Sequence, residues 1–182
     1  MPGNHTSKYA ELTDYQFLLI GKLFVEFSNV EFLLSVVLAR LLITPSFLSR
    51  TFTDRMNINT LIDKIRNALD IHERRYGYSL VSKELCKEIM SMVGLIDEIR
   101  IKRNKFAHYC WSRSSDEEIF GAGFISKQAS KSKPNKGSIT ITNQEIKVLY
   151  DKCYRIGDEI EEILQRLPEL LEDKELKSKL KY

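Results

Sequence analysis

The sequence predicts an all-α fold: a four-helix up-and-down bundle with a β-hairpin insertion between the third and fourth helices and a short C-terminal helix. Three observations predict it. Apolar residues recur at steps of three and four over four long segments, the spacing that lines one face of a helix. Two of those segments open with capping boxes, Thr13-Asp14-Tyr15-Gln16 and Thr142-Asn143-Gln144-Glu145. One interval, between the third and fourth helices, changes texture to short runs rich in β-branched and aromatic residues.

The 182 residues suit a single domain, 1–182, able to bury its core without metals or disulfides. Low Gly and Pro contents, 8 and 4, exclude collagen-like and Pro-rich chains. Lys+Arg 28 against Asp+Glu 25 leaves a net charge of +3, compatible with a nucleic-acid partner without pointing to one. Cys86, Cys110 and Cys153 are widely spaced, with no CxxC pair, and read as reduced thiols of a cytoplasmic protein. No leader is expected, since residues 1–12 are polar and read as a flexible N-terminus. The most apolar stretch, Phe17 to Ile43, carries Lys22, Glu26, Glu31 and Arg40, so no membrane span and no membrane partner are expected.

Element by element, the first helix runs from the Thr13 cap to about Leu42. Its seam reads Phe17, Ile20, Phe24, Phe27, Glu31, Leu34, Leu38, Leu41, and a second row (Leu19, Leu23, Val30, Leu33, Val37) runs beside it. The second helix is expected from about Asn59 to Arg75, with Ile58, Leu61, Ile62, Ile65 and Leu69 inward and Gly77 as its stop. Ser79 is expected to cap the third, which runs to about Ala107 on Leu85, Ile89, Met92, Ile96, Ile99, Arg103 and Phe106. The insertion, 109–142, pairs Glu118–Ile125 with Ser138–Thr142 around a polar tip, Lys127 to Gly137; a helical alternative for part of it stays open. The fourth helix carries Ile146, Leu149, Cys153, Ile156, Ile160, Ile163 and Leu167, closed by Pro168, and 168–182 form a short helix or a tail.

Two seams each carry one charge, Glu31 in the first and Arg103 in the third. Burying an unpaired ion costs several kcal/mol, so the two should meet or line a wet cleft, unless the helix phase slips by one position. Arg103 opens the segment Arg103-Asn104-Lys105-Phe106-Ala107-His108-Tyr109-Cys110-Trp111. It resembles the R-x(4–6)-H motif of HEPN domains, helical bundles whose motif lies toward the end of the third main helix. Asn104 fills the polar position after the arginine, and Phe27-Ser28-Asn29-Val30-Glu31 is similar to the F-S-x-x-E pattern of some members. A second match, Arg66 to His72, lies inside the second helix and is set aside for that position.

The resemblance implies a metal-independent endoribonuclease of toxin or host-defence type, with RNA as substrate, no metal and no cofactor. On that reading His108 moves protons at the 2′-hydroxyl and the leaving 5′-oxygen. Arg103 offers a planar fork to the phosphate, Asn104 orients His108 or bonds the backbone, and Glu31 holds Arg103 in its rotamer. On a regular helix Arg103 and His108 lie roughly 140° apart, so they converge only if the helix unwinds or a second subunit completes the site. The resemblance favours the latter: a homodimer cleft with two Arg103 and two His108. Family toxins regulated by a nucleotidyltransferase carry tyrosine two residues after the histidine; Cys110 stands there, which puts such an antitoxin or regulatory partner in question. The alternative is a non-catalytic HEPN-like dimerisation module that binds nucleotide, RNA or protein, with Arg103 satisfied by Glu31. Tyr109 and Trp111 are expected in packing rather than on bases, the Lys127–Lys136 tip in solvent, and His5 and His72 without a catalytic part.

Overall fold

In the computed structural model, residues 10–123 and 137–170 are described. They form α1 (Asp14–Leu41), α2 (Ser46–Thr53), α3 (Ile58–Arg74), α4 (Lys83–His108), β1 (Tyr109–Arg113), β2 (Glu118–Gly123), β3 (Ser138–Thr142) and α5 (Asn143–Arg166). The chain is therefore mostly helical with one small antiparallel sheet, in strand order β1-β2-β3. No described helix is long and apolar enough to cross a membrane. The Lys127–Lys136 tip, most of the N-terminal segment, and residues 171–182 of the expected C-terminal helix lie outside the described residues; Pro168 to Leu170 are not helical.

The chain divides into two compact units. One comprises the residues up to Phe27 with Glu98–Tyr154, and holds the start of α1, the end of α4, the sheet and the start of α5. Its core gathers Leu19, Leu23, Phe27, Ile99, Phe106, Trp111, Ile119, Ile146 and Leu149. Both capping boxes form here. Thr13 N–H donates to Gln16 Oε1 at 2.9 Å and Gln16 N–H to Thr13 Oγ1 at 3.2 Å. Thr142 N–H donates to Glu145 Oε2 at 2.8 Å and Glu145 N–H to Thr142 Oγ1 at 3.2 Å. Gln16 is fully buried because its amide is used twice: Nε2 also donates to the Ser115 carbonyl at 2.9 Å. Asn143 holds the same turn, through Nδ2 to the Asp116 carbonyl at 2.8 Å. Two helix N-termini thus collect the carbonyls of the β1–β2 turn, which leaves few of them orphaned.

The sheet has one strand more than expected. Tyr109–Arg113, which continues from the last residue of α4, pairs with β2 in register Trp111↔Gly121, and β2 pairs with β3 in register Ile119↔Ile141. Gly121 and Gly123 leave room for rings of the neighbouring strand: a Cβ on Gly121 would sit 2.6 Å from the Trp111 ring, and one on Gly123 2.9 Å from Tyr109.

The other unit, Ser28–Asp97 with the residues from Arg155 on, contains the rest of α1, α2, α3, the start of α4 and the rest of α5. The expected inward residues of α3 are all buried. Gly77, at φ +54°, turns the chain beyond α3, as its place after the helix suggests. The third long helix starts later than expected, because Ser82 rather than Ser79 caps it, accepting from Leu85 N–H at 3.2 Å. α1 ends in a Schellman motif: Thr44 N–H reaches the Ala39 carbonyl at 3.0 Å and Ile43 N–H the Arg40 carbonyl at 3.1 Å. The left-handed position falls on Ile43, φ 51°, a residue that gives no sequence signal for it. α2 was not expected at all. Its buried residues are Ser49 and Thr53, while Phe47 and Leu48 are exposed, so its pattern is inverted relative to an ordinary amphipathic helix.

One seam is corrected. In the first half of α1, Phe17 is 40% exposed and Ile20 and Phe24 are half-buried, while Phe27 of that row, Leu19 and Leu23 of the second row, and Gln16 are buried. The Gln16 anchor turns the neighbouring row inward. From Leu34 on, the expected seam is buried.

Candidate functional site

The motif occupies the last turn and a half of α4, within the unit that contains the sheet. α4 remains helical through His108. Unwinding between Arg103 and His108 therefore does not occur, and within one chain the two side chains leave the helix on faces roughly 140° apart. Of the two ways the pair was expected to converge, unwinding of the helix is not the one seen.

Arg103 is half-buried against aromatic rings. Its Cζ lies 4.8 Å from the centroid of Phe24 and 5.0 Å from that of Phe27, both on α1. Such cation–π contacts are worth about 0.5–2 kcal/mol each, more as water is excluded. They also restrict the plane of the guanidinium. Arg103 Nη1 donates to Asn104 Oδ1 at 3.4 Å, a long hydrogen bond, while Nε is buried with no hydrogen-bond partner. Asn104 is thus brought to the arginine rather than shown with His108. Glu31, half-buried, stands one helical turn beyond Phe27 on α1. The aromatic shelf was not legible as such, since Phe24 and Phe27 read simply as seam residues.

His108 is exposed, at the C-terminal end of α4. The aromatics after it serve packing. Trp111 stacks on Phe106 at 4.9 Å between centroids and donates from Nε1 to the Phe106 carbonyl at 3.1 Å, satisfying one of the helix's last carbonyls. Cys110 is exposed, whereas burial pushes the thiol of Cys153 up to about 12 and raises that of Cys86. Neither buried thiol can act as a thiolate near neutral pH.

The set-aside match resolves into structure. His72 is buried and its Nε2 lies 2.8 Å from the Leu41 carbonyl, so Nε2–H donates to the end of α1. Arg66 pairs with Asp63 at 3.8 Å and Asp97 at 4.0 Å.

A further feature, not legible in the sequence, lies in the same unit. A groove of about 280 Å³ opens between the end of α4, β3 and the start of α5. Phe106, Ile139, Ile141, Val148 and Leu149 line it, and Lys102, Lys105 and Lys152 contribute cations. The available signal was Lys102 and Lys105 flanking the motif arginine. Among the described residues no group of three His, Cys, Asp or Glu side chains is arranged to hold a metal ion. Comparison with family models, curated proteins and solved structures finds no match to this chain.

Proposed function

We propose that the chain is a HEPN-type, metal-independent endoribonuclease of toxin or host-defence type, acting as a homodimer, with α1, α3, α4 and α5 as an up-and-down four-helix bundle. The observation that carries the reading is the Arg103–His108 segment itself: an arginine whose plane is held by two rings, and an exposed histidine five residues on at the helix end. The productive pair joins Arg103 of one copy to His108 of the other. His108 accepts the proton of the 2′-hydroxyl as its oxygen attacks phosphorus. The bond from phosphorus to the 5′-oxygen breaks, the second copy's His108 protonates that oxygen, and the products are a 2′,3′-cyclic phosphate and a 5′-hydroxyl. Arg103 stabilises the charge that builds on the nonbridging oxygens. Incubation with bulk RNA in EDTA, beside His108→Ala, tests it. Cyclic-phosphate ends from the parent alone are expected; equal cleavage by both proteins removes the role of His108.

A second reading has its own support. An arginine stacked on two rings, with Nε buried, also fits a structural residue of a non-catalytic nucleotide-, RNA- or protein-binding module. In that case Arg103→Lys, which keeps the charge but loses the flat stacking face, changes stability and no reaction.

A further inference from the structure

We propose that the groove formed by α4, β3 and α5 is a nucleotide subsite that holds one residue of single-stranded RNA beside His108. The inference deepens the nuclease reading and rests on it for the choice of RNA as the strand. Three features of the groove select this occupant. Its volume, about 280 Å³, is at the lower end of ligand sites, enough for one nucleotide and too small for a helix or a folded partner. Its floor is apolar and partly aromatic, with Phe106, Ile141 and Leu149, a surface that receives the face of a base without reading its edge. Its cations are three lysines, ammonium point charges suited to phosphate.

The lone carboxylate among the lining residues, Glu145, offsets one of the three charges and leaves the lysines in excess. Glu145 is engaged by its own helix cap, accepting from both Thr142 N–H and Thr142 Oγ1. Lys102 and Lys152 are exposed, so their ammonium groups are open to a solvated backbone, Lys102 while also acting on the Glu145 carboxylate. Placement ties the groove to the motif. Lys105 and His108 are three residues apart on α4 and so neighbours on its surface. A strand with a phosphate on Lys105 therefore passes His108. Gln144 and Thr140, also in the lining, offer hydrogen bonds to a base edge or ribose. An acidic peptide would satisfy the lysines but leave the apolar floor uncovered, which is why the nucleotide is favoured.

The test is binding of a short fluorescent oligouridylate as a function of salt, on His108→Ala protein so that no cleavage intervenes. Lys102→Gln and Lys152→Gln are each expected to reduce the salt slope by about 0.7, the contribution of one phosphate contact in a single strand. Val148→Trp, at an exposed position, fills the groove and leaves the lysines in place; it is expected to weaken binding roughly 10-fold, the loss of one stacked base. Unchanged slopes and affinity in these folded variants overturn the subsite. So does polyglutamate that binds better than the RNA. Uridine monophosphate that binds as tightly as the oligomer overturns the strand in favour of a free nucleotide. Cleavage by a parent protein whose groove variants bind and cut normally leaves the nuclease standing and removes only the subsite. Groove-dependent binding with no cleavage by the parent does the reverse.

Discussion

His108 and His72 are separated by what surrounds them, and substitution should reverse their effects. His108 is exposed and makes no demand on the core, so His108→Ala is expected to change stability by less than about 0.5 kcal/mol. On the proposed mechanism it lowers cleavage by roughly 10²–10⁴-fold. His72→Ala deprives the buried Leu41 carbonyl of its donor, for a cost of about 1–3 kcal/mol, while cleavage per folded molecule stays at the parent level. Urea unfolding and a cleavage assay on the same two proteins check both halves. Position along the helix already separated the two histidines in the sequence. Their environments were not legible, because the partner of His72 is a carbonyl 31 residues away.

Glu145 supplies a pH prediction at the same scale. Hydrogen bonds from the Thr142 backbone and hydroxyl hold its carboxyl below the usual carboxylate range, with Lys102 adding to the effect. Glu88, bonded to Arg166, is lowered likewise. A carboxyl depressed in the folded state contributes fully above its unfolded value of about 4.3 and loses that contribution as pH falls through the folded value. Stability should therefore decline below about pH 4. Glu145→Gln keeps a capping-box side chain but not the charge. Its urea midpoint is expected to fall less than the parent's between neutral and acid pH; equal falls contradict the assignment.

At the scale of elements, the long amphipathic helices were legible because their buried faces are mainly apolar. Every seam position assigned to α5 is buried. α2 escaped because its inward side is Ser49 and Thr53, and β1 because its residues were read as the aromatic end of a motif. The sheet also makes its own prediction. Gly121 faces Trp111, and an added methyl would meet the ring well inside contact distance. Gly121→Ala is expected to cost about 1–3 kcal/mol, the range for overpacking, measured by thermal or urea unfolding. A change under about 0.5 kcal/mol would mean that the Trp111 ring moves freely, contrary to its stacking on Phe106.

At the scale of the molecule, the regularity of α4 carries the argument. With no break before His108, a single copy presents the arginine and the histidine of the motif on different faces, and the proposed chemistry needs them together. The motif was legible in the sequence; whether its helix unwinds was not, since no Gly or Pro between Arg103 and His108 marks the outcome either way. The measurement that bears most directly on this is subunit mixing. Parent protein and an excess of the Arg103→Ala/His108→Ala double variant are unfolded together, refolded as mixed dimers and assayed on RNA in EDTA. Cleavage per parent chain is expected to fall toward zero, because a mixed dimer holds neither an Arg103–His108 pair shared between its chains nor two histidines. Cleavage per parent chain that stays at the level of parent refolded alone would contradict a pair shared between two chains.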